Sequence, residues 1–220
     1  MNVAFVSTVN WGATMAAASD RPTLAAGGAE VRAFLAVLVP SAAPLLEALR
    51  GDADLQMLPV RWQMTEGLHL TMAFLGESSS RRLAAAWPSI ARAMQRHRPA
   101  ALALLQPELF PNVRLPTVVA APVQDARGVL QAVQADALRA LEDAGYNLDD
   151  RAFRPHVSLG RLRPPLLRGQ AAAIGSALRV RQWCGTGAFT AQSVCLMRSD
   201  LFPDGARYSL IAEATLGEQR

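Results

Sequence analysis

His69-Leu70-Thr71-Met72 and His156-Val157-Ser158-Leu159 are the two stretches from which the architecture of this chain can be read. Each lies in a short apolar run, residues 68–75 between Gly67 and Gly76 and residues 154–160, and each sets a hydroxyl residue two places after a histidine. Apolar runs of that length bounded by turn residues predict β-strands. Strand side chains alternate faces, so His69 and Thr71 share one face, as do His156 and Ser158, about 7 Å apart along the backbone. Leu70, Met72, Val157 and Leu159 turn to the opposite, apolar side.

Working outward, residues 32–38 form another apolar run, ended by Pro40, and Ser41 is placed to cap a helix through Arg50. Leu83, Trp87, Ile90 and Met94 recur at helical spacing within residues 79–98. Extended runs at 101–105 and 117–123 flank a turn-rich stretch with Pro107, Pro111, Asn112 and Pro116. A second amphipathic helix is predicted over 125–144, with Val129, Val133, Leu138 and Leu141 on its apolar face and Gly145 as its stop. A helix at 166–178 and strands at 189–197 and 208–216 complete the pattern. Helix and strand therefore alternate in two halves of similar order, which predicts an α+β fold with a pseudo-two-fold arrangement. Residues 1–30, rich in Ala, Gly, Ser and Thr without periodicity, read as a loosely ordered N-terminal extension, and 31–216 as a single domain of two lobes.

Composition narrows the chemistry. With 220 residues and 51% hydrophobic content the chain can bury a sizeable core. The formal charge of +4 favours anionic partners. All 22 basic residues are arginine, which excludes a Schiff-base lysine, a lysine base and a phosphate-loop lysine. Any phosphate clamp must be arginine, hydroxyl or backbone N–H. Cys184 and Cys195 have neither zinc-site nor disulfide-framework spacing, a usage that suits a reducing cytoplasm. The first 20 residues carry Asp20 but no Lys or Arg, unlike a secretory signal, and no run reaches the roughly 20 apolar residues of a membrane helix. A soluble, cytoplasmic protein is expected.

The histidine strands carry the chemistry. An imidazole donates or accepts a proton near neutral pH, and an adjacent hydroxyl can hold a phosphate oxygen. Two such strands facing one another supply an acid on one side of a phosphorus atom and a base on the other, as in-line displacement requires. A lone histidine on an apolar strand is more often structural; two in matching places of two halves favour catalysis. His97, within Arg96-His97-Arg98-Pro99, reads as solvated. No carboxylate or cysteine stands near His69 or His156 at metal-ligand spacing. Arg154, two residues before His156, faces either phosphate or a surface carboxylate. Trp62 and Phe34 either stack on a base or fill the core.

These motifs resemble the two-histidine phosphoesterases, and within them the RNA 2′,3′-cyclic phosphodiesterases once described as 2′-5′ RNA ligases. The resemblance spans residues 32–216. It rests on Arg61-Trp62 with the run from Leu68 to Glu77, on the run from Phe153 to Arg161, and on Arg198-Ser199-Asp200-Leu201 with Tyr208. It implies a bilobal fold with a cleft between two antiparallel sheets, helices outside, and one histidine motif from each lobe. It further implies hydrolysis of RNA 2′,3′-cyclic ends to 2′-phosphomonoesters, with His69 as acid, His156 as base, and Thr71 and Ser158 holding the phosphate oxygens. No metal or cofactor is required, and the protein is expected to act as a monomer on an RNA bearing a 2′,3′-cyclic phosphate end. Ser158 stands where threonine is commoner, residues 64–67 replace a proline- and asparagine-containing lead-in, and residues 107–116 are unusually proline-rich. The alternatives are a non-catalytic RNA-end binding module, or an esterase for a small cyclic nucleotide or a 2′,5′-linked oligonucleotide.

Overall fold

Alternating apolar residues become strands and three-to-four-residue apolar spacing becomes helices in a computed structural model that describes residues 30–112, 114–148, 151–180, 182–203 and 205–217. The extension expected over residues 1–30 lies outside these residues except for its last. The strands are β1 (Glu30–Leu38), β2 (Val60–Trp62), β3 (His69–Ser79), β4 (Ala100–Leu104), β5 (Glu108–Phe110), β6 (Val118–Gln124), β7 (His156–Leu162), β8 (Gly187–Ala191), β9 (Ser193–Phe202) and β10 (Gly205–Thr215). The helices are α1 (Ala43–Arg50), α2 (Ala53–Gln56), α3 (Ser80–Met94), α4 (Val129–Asp143) and α5 (Gln170–Arg179).

The strands follow one antiparallel path, β10-β9-β1-β3-β7-β6-β4-β8, with β2 on the edge of β7 and β5 on β6. Its two quartets mirror one another about the β3–β7 junction. The two sheets expected from the two halves are thus wings of a single hydrogen-bonded path. β1 pairs with β3 along its whole length, whereas β3 meets β7 only at Leu70 and Val157. Matching bulges support the pseudo-two-fold relation. The β1–β3 register passes over Met72 and the β6–β7 register passes over Leu159, the fourth residue of each histidine stretch.

Leu70 and Val157 are wholly buried and belong to the main core, against which α3 and α4 pack. Because they face the core, their strand neighbours are turned to the opposite side. A smaller apolar cluster of Phe34, Ala36, Cys195 and Met197, with Tyr208 against it, lies apart from the main core on the β1–β9–β10 wing. The Cys195 thiol is pushed up to about 12 by burial and then by the Glu213 charge, so it is inert as a nucleophile.

Several local expectations change. The strand expected over 189–197 is two strands that break at Gln192, β8 pairing with β4 in one wing and β9 with β1 in the other. The alternation of residues 189–197 runs on without Gly or Pro, so nothing local marks the crossing; a bond from the Leu216 N–H to the Gln192 carbonyl, 2.8 Å, secures the corner. Ser41 caps nothing with its side chain, because Pro40–Ala42 forms a 3-10 turn ahead of α1. Asp125 holds the start of α4 from outside it, accepting from the N–H groups of Val129 and Gln131. The short strands β2 and β5 were not expected, since three residues carry no readable period.

Gly160 is what lets β2 lie on β7. A Cβ there would stand 2.6 Å from Val60 Cγ1 and 2.8 Å from Trp62 Cε3. Gly160→Ala is therefore expected to destabilise the fold by about 1–3 kcal/mol, a fall in Tm of roughly 2–4 °C per kcal/mol. Calorimetry that finds no loss would show that Trp62 can move aside freely.

Candidate active site

His69 opens β3 and His156 opens β7, and their surroundings match in one decisive feature. His69 Nδ1 lies 2.6 Å from the Gly67 carbonyl and His156 Nδ1 lies 2.7 Å from the Arg154 carbonyl. A carbonyl oxygen only accepts, so each Nδ1 carries the hydrogen and donates it. The neutral ring then keeps its lone pair on Nε2, on the side away from the tether. Both imidazoles are thereby held in one tautomer with the same nitrogen available for proton transfer.

The β3–β7 register brings the two motifs together. Leu70 is paired with Val157, and the antiparallel direction of the two strands turns His69 toward the Ser158 side of that pair and Thr71 toward the His156 side. The four side chains surround that apolar pair on the face opposite the core. Diagonal neighbours in such a ladder stand roughly 7–8 Å apart, a gap that a phosphate group can fill.

Different walls hold the two rings. His69 sits between Phe34 and Tyr208, each with its ring centre 4.9 Å away, Tyr208 edge-on. His156 stacks on Phe110 at 4.0 Å, and the Arg154 guanidinium carbon lies 4.4 Å from the centre of the same ring. Burial pushes the His69 pKa down, partly offset by the Gly67 bond and reinforced by the charge of His156. Burial likewise lowers His156, offset by the Arg154 carbonyl and reinforced by the Arg154 charge. Desolvation favours the neutral ring in both cases.

A cavity of about 730 Å³ opens beside these groups, lined by Thr71, Phe74, Phe110, Arg154, His156 and Ser158 among others. That volume is within the range of small-ligand sites. His69 is not in this lining. A second cavity of about 460 Å³ lies along Arg61, Trp62 and Tyr208, and Arg161 lines both.

His69, Thr71, His156 and Ser158 are brought together, all four half-buried. Arg154 lines the main cavity and forms no ion pair among the described residues; its Nη1 donates to the Pro111 carbonyl at 3.1 Å. Trp62 packs partly on the core and also lines the second cavity. Phe34 is 3% exposed, too buried to receive a base, and its contact is with the His69 ring instead. His97 is not solvated: its side chain is 14% exposed and its Nε2 lies 2.9 Å from Asp136 Oδ2, fastening the end of α3 to α4. Burial of Asp136 opposes ionisation, but the bonds and charges of His97, Arg139 and Arg96 outweigh it and hold its pKa below the ordinary value.

Sequence reasoning missed Phe110 as a site residue, because it lies in the proline-rich stretch read as turn. It also missed Tyr208 as a neighbour of His69, since β10 reaches β3 only through β9 and β1. Among the described residues, no three His, Cys, Asp or Glu side chains are grouped as metal ligands would be. Among them, no helix is long and apolar enough to cross a membrane.

Comparison with known proteins gives a consistent result. The family model described as "2′-5′ RNA ligase superfamily" matches residues 39–201. A curated relative, the RNA 2′,3′-cyclic phosphodiesterase of Geobacillus stearothermophilus, is 30% identical over 149 residues. The match covers 64% of this chain and 47% of that protein, so the chain spans about half the length of the relative. Among solved structures, E. coli LigT complexed with 3′-AMP superposes with a TM-score of 0.68 at 19% identity, covering 86% of this chain and 100% of LigT. A protein of Thermus thermophilus superposes with a TM-score of 0.65 at 26% identity, with 86% and 100% covered. The LigT likeness is one of fold.

Proposed function

This chain belongs to the 2′-5′ RNA ligase superfamily, and on that premise we propose that it opens RNA 2′,3′-cyclic phosphate ends without a metal, leaving a 2′-phosphomonoester. The observation that carries the reading is the matched pair of Nδ1-to-carbonyl tethers, which leave Nε2 of His69 and of His156 as the two proton-transfer atoms on neighbouring strands.

His156 Nε2 takes a proton from water as its oxygen forms a bond to phosphorus. On the opposite side the P–O3′ bond breaks, and His69 Nε2–H gives its proton to the departing 3′ oxygen. Thr71 and Ser158 donate hydroxyl hydrogen bonds to the non-bridging oxygens, which bear the growing charge. Each turnover leaves His69 neutral and His156 protonated, and exchange with solvent restores the starting state. Phe34 and Tyr208 keep the His69 ring oriented, and Phe110 does so for His156. The Geobacillus stearothermophilus relative carries the name of this activity.

The active form carries one proton on the pair. Desolvation holds both imidazoles below the ordinary value of 6.5, so that form prevails only on the acid side of it. The bell of kcat/KM against pH is therefore expected to centre below 6.5. Its alkaline limb reports loss of the proton from the acid. Bound substrate carries negative charge, which raises both pKa values, so the kcat profile should sit alkaline of the kcat/KM profile. A kcat/KM maximum on the alkaline side of 7 would contradict this ordering.

Incubation with an RNA ending in a 2′,3′-cyclic phosphate, in EDTA, tests the whole reading. The expected product is the 2′-phosphate at an undiminished rate. A 3′-phosphate product, or loss of turnover on chelation, would overturn it.

A further inference from the structure

The rings behind the two histidines are held unequally. Phe34, behind His69, is 3% exposed and packed in the cluster of Ala36, Cys195 and Met197. Phe110, behind His156, is the last residue of the three-residue strand β5, at the mouth of the proline-rich loop. Leu109 is buried and anchors that strand, so Phe110 turns the other way and lies half-buried on the cavity wall. A bond from the Thr117 N–H to the Phe110 carbonyl, 2.9 Å, fixes the main chain there and leaves the ring to side-chain contacts. Such a ring stays in one of its staggered rotamers only where neighbours outside the strand hold it.

Arg154 makes three contacts that do so. Its guanidinium carbon lies 4.4 Å from the centre of the Phe110 ring, and its Nη1 donates to the Pro111 carbonyl at 3.1 Å. Its own carbonyl takes the Nδ1–H of His156 at 2.7 Å. The side chain therefore grips the residue that carries the ring and the residue after it, while the backbone tethers the imidazole that stacks on that ring. A flat guanidinium suits this double task, since its face packs on an aromatic while its edge donates in a fixed direction. Neither side-chain contact calls for a substrate.

We propose that Arg154 is a positioning residue for the base: it holds the Phe110 ring, and the ring holds His156 in line for proton transfer. This rests on the acid–base reading of the histidine pair, and gives Arg154 a role other than the phosphate or carboxylate contact expected from its place in the sequence.

The experiment measures kcat and KM on an RNA ending in a 2′,3′-cyclic phosphate for Arg154→Ala, Phe110→Leu and the double variant. Arg154→Ala keeps the carbonyl that tethers Nδ1. Each single substitution is expected to lower kcat about tenfold with KM within about twofold, because the base is loosened and not removed. If the arginine acts through the ring, the double variant also loses about tenfold, where independent effects would multiply to about a hundredfold. A KM raised about tenfold, with or without a loss of kcat, would put Arg154 on the phosphate and overturn the proposal. Multiplied losses in the double variant, or an Arg154→Ala enzyme as fast as the wild type, would overturn it too.

A second arm needs no turnover. The chain has three histidines, so the Cε1–H proton resonance of His156 is identified by its absence from His156→Ala. The stacked Phe110 ring shifts that resonance upfield, and Arg154→Ala should move it toward its position in Phe110→Leu. An unmoved resonance overturns the proposal whatever the kinetics. If the wild type opens no cyclic end, the acid–base reading fails, and the resonance alone decides whether Arg154 holds the ring. Arg154 is exposed, so its truncation should leave the fold intact, which a thermal melt verifies; should the melt fall, Arg154→Gln takes its place in both arms.

Discussion

His156→Ala and His69→Ala are each expected to lower kcat for cyclic-phosphate opening by about 10²–10⁴-fold, the range of a positioned general acid or base. That corresponds to roughly 3–5 kcal/mol of lost transition-state stabilisation. Neither ring is needed to bind the strand end, so KM or the Kd of a product strand should change little. The two variants should differ in their pH profiles. A base must be unprotonated, so removing His156 should abolish the acid limb and leave the alkaline one. An acid must be protonated, so removing His69 should abolish the alkaline limb. Loss of the opposite limbs would exchange the two roles, and full activity in either variant would end the mechanism. Both histidines are half-buried at strand starts, so truncation removes ring contacts with Phe34, Tyr208 or Phe110 without emptying the main core. The fold should persist, which a thermal melt will verify.

The second large effect concerns the hydroxyls. Thr71→Val is close to isosteric and Ser158→Ala removes one oxygen. Each is expected to cost about 10²-fold in kcat, because a hydrogen-bond donor aimed at growing charge contributes on that scale. Ground-state binding should be nearly spared, since the charge it meets develops in the transition state. Ser158→Thr is the control: it restores the hydroxyl with an added methyl and should retain most activity. A Ser158→Ala enzyme as fast as the wild type would show that the phosphate is held by other groups, with Arg154 and Arg161 on the cavity wall as the alternatives.

Much of this site was legible because strand alternation is local. His69 with Thr71 and His156 with Ser158 had to share faces once each run was extended, whatever lay around them. Leu70 and Val157 had to be buried for the same reason. The roles of Phe34 and Trp62 were left open as stacking surface or core, because a residue's period says which way it points and nothing about what meets it there. Phe34 turned inward onto the His69 ring, while Trp62 packs partly on the core yet also lines a cavity, over Gly160 of β7, which has no side chain to block it. His97 looked solvated from its charged neighbours and is instead bonded to Asp136 on another helix.

By itself the amino-acid order determined the α+β class, the two histidine strands, the shared faces and the absence of lysine chemistry. These follow from side-chain period and residue type, which act over a few neighbouring positions. Only the tertiary structure decided that β3 and β7 meet at Leu70 and Val157, that residues 189–197 cross from one wing to the other, and that Arg61 faces Arg161. Those are choices of partner between distant segments, set by which arrangement buries both apolar faces at once, and no local pattern encodes them.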